Sequence, residues 1–305
     1  MTASVVIITR NRPDMLRRCL EHLADQGADE ILVVDASDGR ETIDLLAEWP
    51  GVWCLDFRGQ RNKMPASRNV GIASARGDIV AFLDDDSLAR PGWLSALKRA
   101  FAEGVGCVGG RAVDQNEPTL PDPTHVGRLL PDGTRIDNFN ADPGRVLEVD
   151  RVRGCNMAFR RDVLLALGGF DRRYTGSNVN EAGDMCLRVK AAGYKVLYEP
   201  SAVVDHISAP REEIPRDPAA RRTQFYLARN RTYLLLKTLG PTREVLGTLL
   251  KRELAEAWSA RQRNGLLWVG AHVAGKAVGA AAACLPRHTG MPQRRPSAGA
   301  ASVKR

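Results

Sequence analysis

Short apolar, β-branched runs alternate with segments of helical period through the N-terminal part of the chain, and this alternation limits the fold most. Val5 to Thr9, Glu30 to Asp35 and Asp78 to Leu83 read as buried strands. Between them, Asp14 to Gln26 places Met15, Leu16, Cys19, Leu20 and Leu23 at helical spacing, and Glu41 to Glu48 and Ala66 to Arg76 read as further helices. Strands this uniformly apolar are buried on both faces, and helical crossovers between them imply parallel pairing. The expected class is α/β, a mostly parallel, mixed sheet with helices on both faces.

In such sheets ligands gather at the carboxyl ends of the strands. Three polar groups fall there: Thr9 and the turn after it, Asp35, and the run Asp84, Asp85, Asp86 in FLDDDS. Adjacent carboxylates raise one another's pKa and cost stability unless a cation or hydrogen-bond donors compensate them. The aspartates therefore call for a partner.

Further along, residues 91–103 are expected to form a helix with proline near its first turn, and Val105 to Val113 a Gly-rich strand. Residues 114–150, rich in Pro, Asp, Asn and Gly, suit an irregular loop or small β insertion. Order returns with CNMAFRR (155–161), a short helix to Leu167, and a helix from Asn180 to Ala192 closed by Gly193. Short strands at Tyr194 to Tyr198 and Ala202 to Val204 precede Asp205-His206.

The 305 residues can bury a large core, and the six cysteines show neither a CxxC pair nor a His/Cys cluster, which speaks against a zinc site or a disulfide framework. Strand-like sequence begins almost at once, without a basic leader or signal-length apolar segment, so a reducing cytoplasm is the expected compartment. The net charge of +8 is uneven. Residues 211–305 hold 18 Lys/Arg against 6 Asp/Glu, a balance of +12, which leaves −4 for residues 1–210. No recognition motif accompanies the positive charge, so nucleic acid is not an expected partner.

The stretches VVIITRNRPDMLRRCLEHL, ILVVDASD, ASRNVGIASARGDIVAFLDDDS, GCNMAFRRDVLLALGGFD and EAGDMCLRVKAAGYKVLYEPSAVVDH, in this order, resemble a family 2 glycosyltransferase of the GT-A (Rossmann-like) fold. The resemblance covers roughly residues 4–207. It implies an enzyme that moves a sugar from a nucleotide-diphosphate sugar to a hydroxyl acceptor, a glycan or lipid-linked glycan, with inversion and with Mg²⁺ or Mn²⁺. A cation held by carboxylates suits a diphosphate leaving group, whose charge grows as the glycosidic bond breaks.

The resemblance assigns Asp86 to the metal, with His206 beyond the strand AVVD as a further ligand. It assigns Asp84 to the donor ribose or the metal shell and leaves Asp85 undecided on the donor side. Asp35 would accept a hydrogen bond from the nucleotide base, Thr9 would line the nucleotide site, and Arg68 would lie near the nucleotide. Arg12 would serve there or face solvent. Asn156 would meet sugar or acceptor hydroxyls, or satisfy a turn.

Relatives carry two acidic residues in succession where this chain reads Glu181-Ala182, followed by Gly183-Asp184. The base that takes the acceptor's proton is therefore expected from Glu181 ahead of Asp184, which could instead anchor the helix.

The expected domains are a transferase over 1–210 (donor half to about 113, acceptor half from about 114), a basic helical extension over 211–285 and a disordered basic tail over 286–305. GLLWVGAHVAGKAVGAAAACL (265–285) has the length of a membrane span but is only weakly hydrophobic, so a core or amphipathic helix is expected. With its charge and Trp258 and Trp268 nearby, the extension would dock on an anionic membrane, peripherally on the inner face, or serve packing or dimerisation. Oligomeric state is left open. Two alternatives stand beside the transferase: a degenerate protein that binds nucleotide sugar or glycan without turnover, and a sugar-nucleotide nucleotidyltransferase. The second lacks its expected Gly-rich, Arg/Lys-bearing loop after the first strand.

Overall fold

A computed structural model describes residues 1–60, 63–176, 179–207, 221–251 and 266–285. The elements begin with β1 (Ala3–Thr9), α1 (Pro13–Leu23), β2 (Glu30–Asp35), α2 (Glu41–Leu46), β3 (Val52–Asp56), α3 (Met64–Ser74) and β4 (Ile79–Asp84). Then come β5 (Ser87–Ala89), α4 (Trp93–Ala100), β6 (Val105–Val113), the small pair β7 (Arg128–Leu129) and β8 (Arg135–Ile136), and β9 (Leu147–Glu148). Next come β10 (Asn156–Arg160), α5 (Arg161–Ala166), α6 (Glu181–Ala191) and β11 (Lys195–His206). Two long helices follow, α7 (Arg221–Leu239) and α8 (Leu266–Cys284), with helical residues 243–251 between them.

One mixed sheet runs β3-β2-β1-β4-β10-β6-β11-β5, with β9 on the side of β11. The β1, β2, β3 and β4 pairings are parallel, and β10 enters antiparallel between β4 and β6. Alternate residues of each strand feed two separate cores. Val6, Val34, Phe82, Phe159 and Phe170 pack on one face, and Val5, Ile7, Leu16, Leu20, Leu83 and Trp93 on the other. The α/β class with helices on both faces is what the alternation implied, and the C-terminal helices are the expected extension.

Some elements differ from expectation. The strands expected at 194–198 and 202–204 form one strand, β11, whose pairing with β6 shifts register between Glu199 and Val203, beside Pro200. Proline lacks the N–H that the ladder needs, which breaks the pattern without ending the strand. The helix expected over 91–103 spans only Trp93–Ala100, because Gly92 in the left-handed region (φ 81°) precedes it and leaves Pro91 outside. Strands β3 and β5 escape the sequence pattern, the first half-buried at the edge, the second three residues long.

The extension is joined closely to the rest. A Cβ on Gly275 or Gly279 of α8 would lie 2.2 Å from the Phe225 carbonyl oxygen or 2.3 Å from that of Arg229, so these glycines let α8 meet the α7 backbone. Tyr233 and Lys237 of α7 both donate to Asp171 Oδ2, at 2.6 and 2.7 Å. Among the described residues no helix is long and apolar enough to cross a membrane. Trp258 and the tail 286–305 lie outside the described residues.

Candidate active site

The site forms at the carboxyl ends of β1, β2, β4 and β11. Parallel register sets Thr9 beside Asp35 and Ile8 beside Asp84, which brings three separated polar stretches to one sheet edge. Antiparallel pairing of β11 with β5 sets His206 against Ser87, directly after the aspartates. Asp84, Asp86 and His206 thereby each offer a ligand atom within 4.8 Å of the others. Two carboxylates and an imidazole suit Mn²⁺, and carboxylate oxygen suits Mg²⁺. The donor set thus fits a divalent cation.

The triplet's charge is compensated mainly by Arg12. Its guanidinium grips Asp85 through both Nε (3.1 Å) and Nη2 and reaches Asp86 Oδ2 through Nη1 at 3.1 Å. Asp85 is fully buried and also accepts from the Thr9 hydroxyl at 2.7 Å. Burial pushes its carboxyl up to about 7 against the pull of Arg12. Asp85 is thus turned inward, and with Thr9 and Arg12 it fixes the turn that presents Asp84 and Asp86. The side chains of Thr9, Arg12 and Asp85 are tied to one another.

Asp35 is fully buried at the end of β2. Its Oδ1 accepts from the Ser37 amide at 2.9 Å, while Oδ2 has no hydrogen-bond partner among the described residues. Burial raises its pKa from the ordinary value. A buried acceptor left unmatched at a strand end is the kind of atom a ligand donor completes.

Arg68 lies across the triplet on α3, 1% exposed. It donates to Asp84 Oδ1 at 3.2 Å, to the Gly154 carbonyl at 3.0 Å and to Glu181 Oε1, with its guanidinium 5.5 Å from the Phe170 ring centroid. Glu181 opens α6, where the helix dipole favours negative charge, and its Oε1 accepts from Arg68. Ala182 is buried next to it, and a Cβ on Gly154 would lie 3.3 Å from Arg68 Nη2 and 3.5 Å from the Ala182 Cβ. Ala182 thus stands, with Arg68 and Glu181, among the close neighbours of Gly154.

Asp184 is not brought to this group. It is 1% exposed and is held by Lys237 (2.6 Å), by Arg188 one turn on (3.0 Å) and by the Tyr174 hydroxyl (3.3 Å). The structure makes it the anchor of α6 to α7. Asn156 is fully buried in the sheet: its amide donates to the Arg111 and Ala202 carbonyls, both at 2.9 Å, and accepts from the Trp93 indole at 2.8 Å. Those bonds commit Asn156 to tying β10 to its neighbours, the turn-satisfying reading in a wider form.

Two residues that the sequence did not single out complete the site. Asp114 Oδ2 lies 2.9 Å from His206 Nδ1, and Arg153 reaches the same carboxylate oxygen at 3.3 Å. Neither stands in a motif; the pairing of β6 with β11 brings Asp114 to His206, and Arg153 arrives from the turn before β10, which pairs with β6.

The chain matches the family model described as glycosyl transferase family 2 over residues 4–168. It is similar to the pre-mycofactocin glycosyltransferase of Mycobacterium tuberculosis, 32% identical over 211 residues, which is 67% of this chain and 42% of that protein. It is also similar to the glucosyl-dolichyl phosphate glucuronosyltransferase of Haloferax volcanii, 29% identical over 227 residues, 68% of this chain and 69% of that one. The chain spans only 27% to 42% of the curated relatives that it matches at 30% identity or more. Among solved structures, the mannosyltransferase PcManGT of Pyrobaculum calidifontis, in complex with GDP-Man and Mn²⁺, shares the fold with a TM-score of 0.55 at 18% identity, covering 93% of this chain and 76% of that one.

Proposed function

The chain belongs to glycosyl transferase family 2, and on that premise we propose that it transfers a sugar, with inversion, from a nucleotide-diphosphate sugar to a hydroxyl of a glycan or lipid-linked glycan. The observation that carries this reading is the convergence of Asp84, Asp86 and His206 within 4.8 Å at the strand ends beside Asp35. Mg²⁺ or Mn²⁺ held there would stabilise the diphosphate leaving group as a Lewis acid. The pre-mycofactocin and glucuronosyl relatives support sugar transfer, and the complex of PcManGT with GDP-Man and Mn²⁺ supports the donor and metal classes.

In this reading Asp35 Oδ2 accepts a hydrogen bond from the nucleotide base, and Arg12, Thr9 and Asp85 hold the triplet in its presenting turn. Arg68 neutralises Asp84 and steadies Glu181. Glu181 Oε2 takes the proton of the acceptor hydroxyl. The transferase occupies 1–210, and the extension 211–285 braces it through α7.

The outward stripe of α8 supports a membrane-bound acceptor. Val273, Val278 and Leu285 are 51%, 43% and 58% exposed, with exposed Ala274, Ala277 and Ala281 among them. Leu246 and Leu250 of the preceding helical segment are 48% and 60% exposed. Apolar surface on a region of +12 charge suits peripheral docking on an anionic bilayer. Sedimentation with anionic liposomes at low and physiological salt tests it, and no binding at either overturns it.

One specific observation favours binding without turnover: Arg68 holds Glu181, and Ala182 replaces an acid. Incubation with a panel of nucleotide sugars, Mn²⁺ and acceptors separates the readings. Nucleoside diphosphate release supports transfer, pyrophosphate chemistry supports a nucleotidyltransferase, and binding without turnover supports the degenerate reading.

A further inference from the structure

Asp114 follows directly after β6. Its place is set by the parallel pairing of Ala112 with Val204 and Val113 with Asp205, which carries the next residues, Asp114 and His206, to the same height at the end of the sheet. Asp114 is 2% exposed, and both of its carboxylate oxygens are engaged. Oδ1 accepts the Asn116 amide at 2.9 Å, and Oδ2 lies 2.9 Å from His206 Nδ1. The other ring nitrogen, Nε2, lies 3.6 Å from Asp86 Oδ1.

We propose that Asp114 is a positioning residue of the metal site, holding His206 with its proton on Nδ1 so that Nε2 is the ligand atom. The inference rests on the reading of Asp84, Asp86 and His206 as a metal site. An imidazole whose far nitrogen donates to a carboxylate is fixed in tautomer and ring orientation and is a stronger ligand. A carboxylate held at both oxygens cannot swing away to release the ring.

Arg153 creates the competing arrangement. Its Nη2 lies 3.2 Å from His206 Nδ1 and 3.3 Å from Asp114 Oδ2. Were Arg153 to donate to Nδ1, the imidazole proton would move to Nε2 and point at Asp86, where it would oppose a cation. Asp114 prevents this by accepting from both neighbours at one oxygen, so that Arg153 neutralises Asp114 instead of capping His206. Arg153 Nη1 also holds Glu117 at 2.6 Å, and the Asn140 amide donates to the Asp114 carbonyl at 3.2 Å. Two points of the 114–150 insertion, Glu117 and Asn140, are therefore tied to Arg153 and to the residue that aims the histidine.

The test is a Mn²⁺ titration of the full chain without nucleotide, following the free-ion electron paramagnetic resonance signal. Asp114→Asn is expected to weaken Mn²⁺ binding about 10- to 100-fold, and His206→Gln to weaken it comparably. Because one acts through the other, the double variant should bind no more weakly than His206→Gln alone. Asp114→Glu, which keeps the carboxylate, should recover part of the affinity. If Asp114→Asn does not fold, Asp114→Ser enters the same cycle. Wild-type affinity in the Asp114 variants, or additive losses in the double variant, overturns the inference while leaving the metal site standing. Wild-type affinity in His206→Gln overturns the ligand reading of His206 and this inference with it.

Discussion

The Lys237 ammonium of α7 lies 2.6 Å from Asp184 Oδ1, inside the first turn of the helix that begins with Glu181. The same ammonium reaches Asp171 at 2.7 Å, and the Tyr174 and Tyr233 rings lie at its sides, with centroids 5.9 and 5.5 Å away. A cation from the basic extension thus sets the height and tilt of the helix that presents the proposed base. Lys237→Met leaves two buried carboxylates without it, and a loss of about 3–5 kcal/mol is expected. Urea denaturation measures it.

The same contact gives a pH dependence. Burial pushes the Asp171 carboxyl up, but Lys237 and the Tyr233 hydroxyl outweigh it and hold the group below its ordinary value of 3.8. Its stabilising contribution is complete above 3.8 and is lost as pH falls through the lowered folded value. Denaturation midpoints of wild type and Asp171→Asn should therefore differ by a constant amount at neutral pH and converge well below pH 3.8.

Glu181 and Asp184 should separate cleanly. Glu181→Gln is expected to lower kcat by about 100-fold or more in a chain that still folds, as for loss of a general base. Asp184→Asn should lower stability first. Unchanged transfer in Glu181→Gln with abolished transfer in a folded Asp184→Asn would reverse the assignment.

Arg68 should not tolerate its nominally conservative replacement. Its fork meets Asp84, Glu181 and the Gly154 carbonyl together while lying against Phe170, a set that one ammonium cannot match. In Arg68→Lys, kcat/KM should fall at least about tenfold, corresponding to about 1.4 kcal/mol. Full activity would show that Arg68 acts as a point charge.

Asp35→Asn should weaken nucleoside diphosphate binding about 10-fold or more, the cost of a hydrogen bond to a charged acceptor, about 1.5–3 kcal/mol. Calorimetry with the nucleotide alone reads this without turnover, and wild-type affinity would remove Asp35 from the base site.

The legible part of this protein is local. Val5 to Thr9, Glu30 to Asp35 and Ile79 to Leu83 announce themselves as strands because an unbroken apolar run has few other fates, and the ends of such strands carry Thr9, Asp35 and Asp84. Strand β5 was hidden because three residues give no period, yet its pairing with β11 delivers His206 to Asp86. Asn156 reads as a sugar contact in its motif, while its bonds to Trp93, Arg111 and Ala202 make it part of the sheet.

The sequence by itself determined the α/β class, the sheet edge where chemistry would gather and the residue types suited to a divalent cation. Those follow from hydrophobic period and from the repulsion of adjacent carboxylates, both properties of neighbours along the chain. Only the tertiary structure decided that Asp85 turns inward to Arg12, that Arg68 joins Asp84 to Glu181, and that Asp184 belongs to Lys237. Each of those choices pairs a carboxylate with a cation far away in sequence. The choice depends on strand register and helix placement, which no stretch of sequence contains alone.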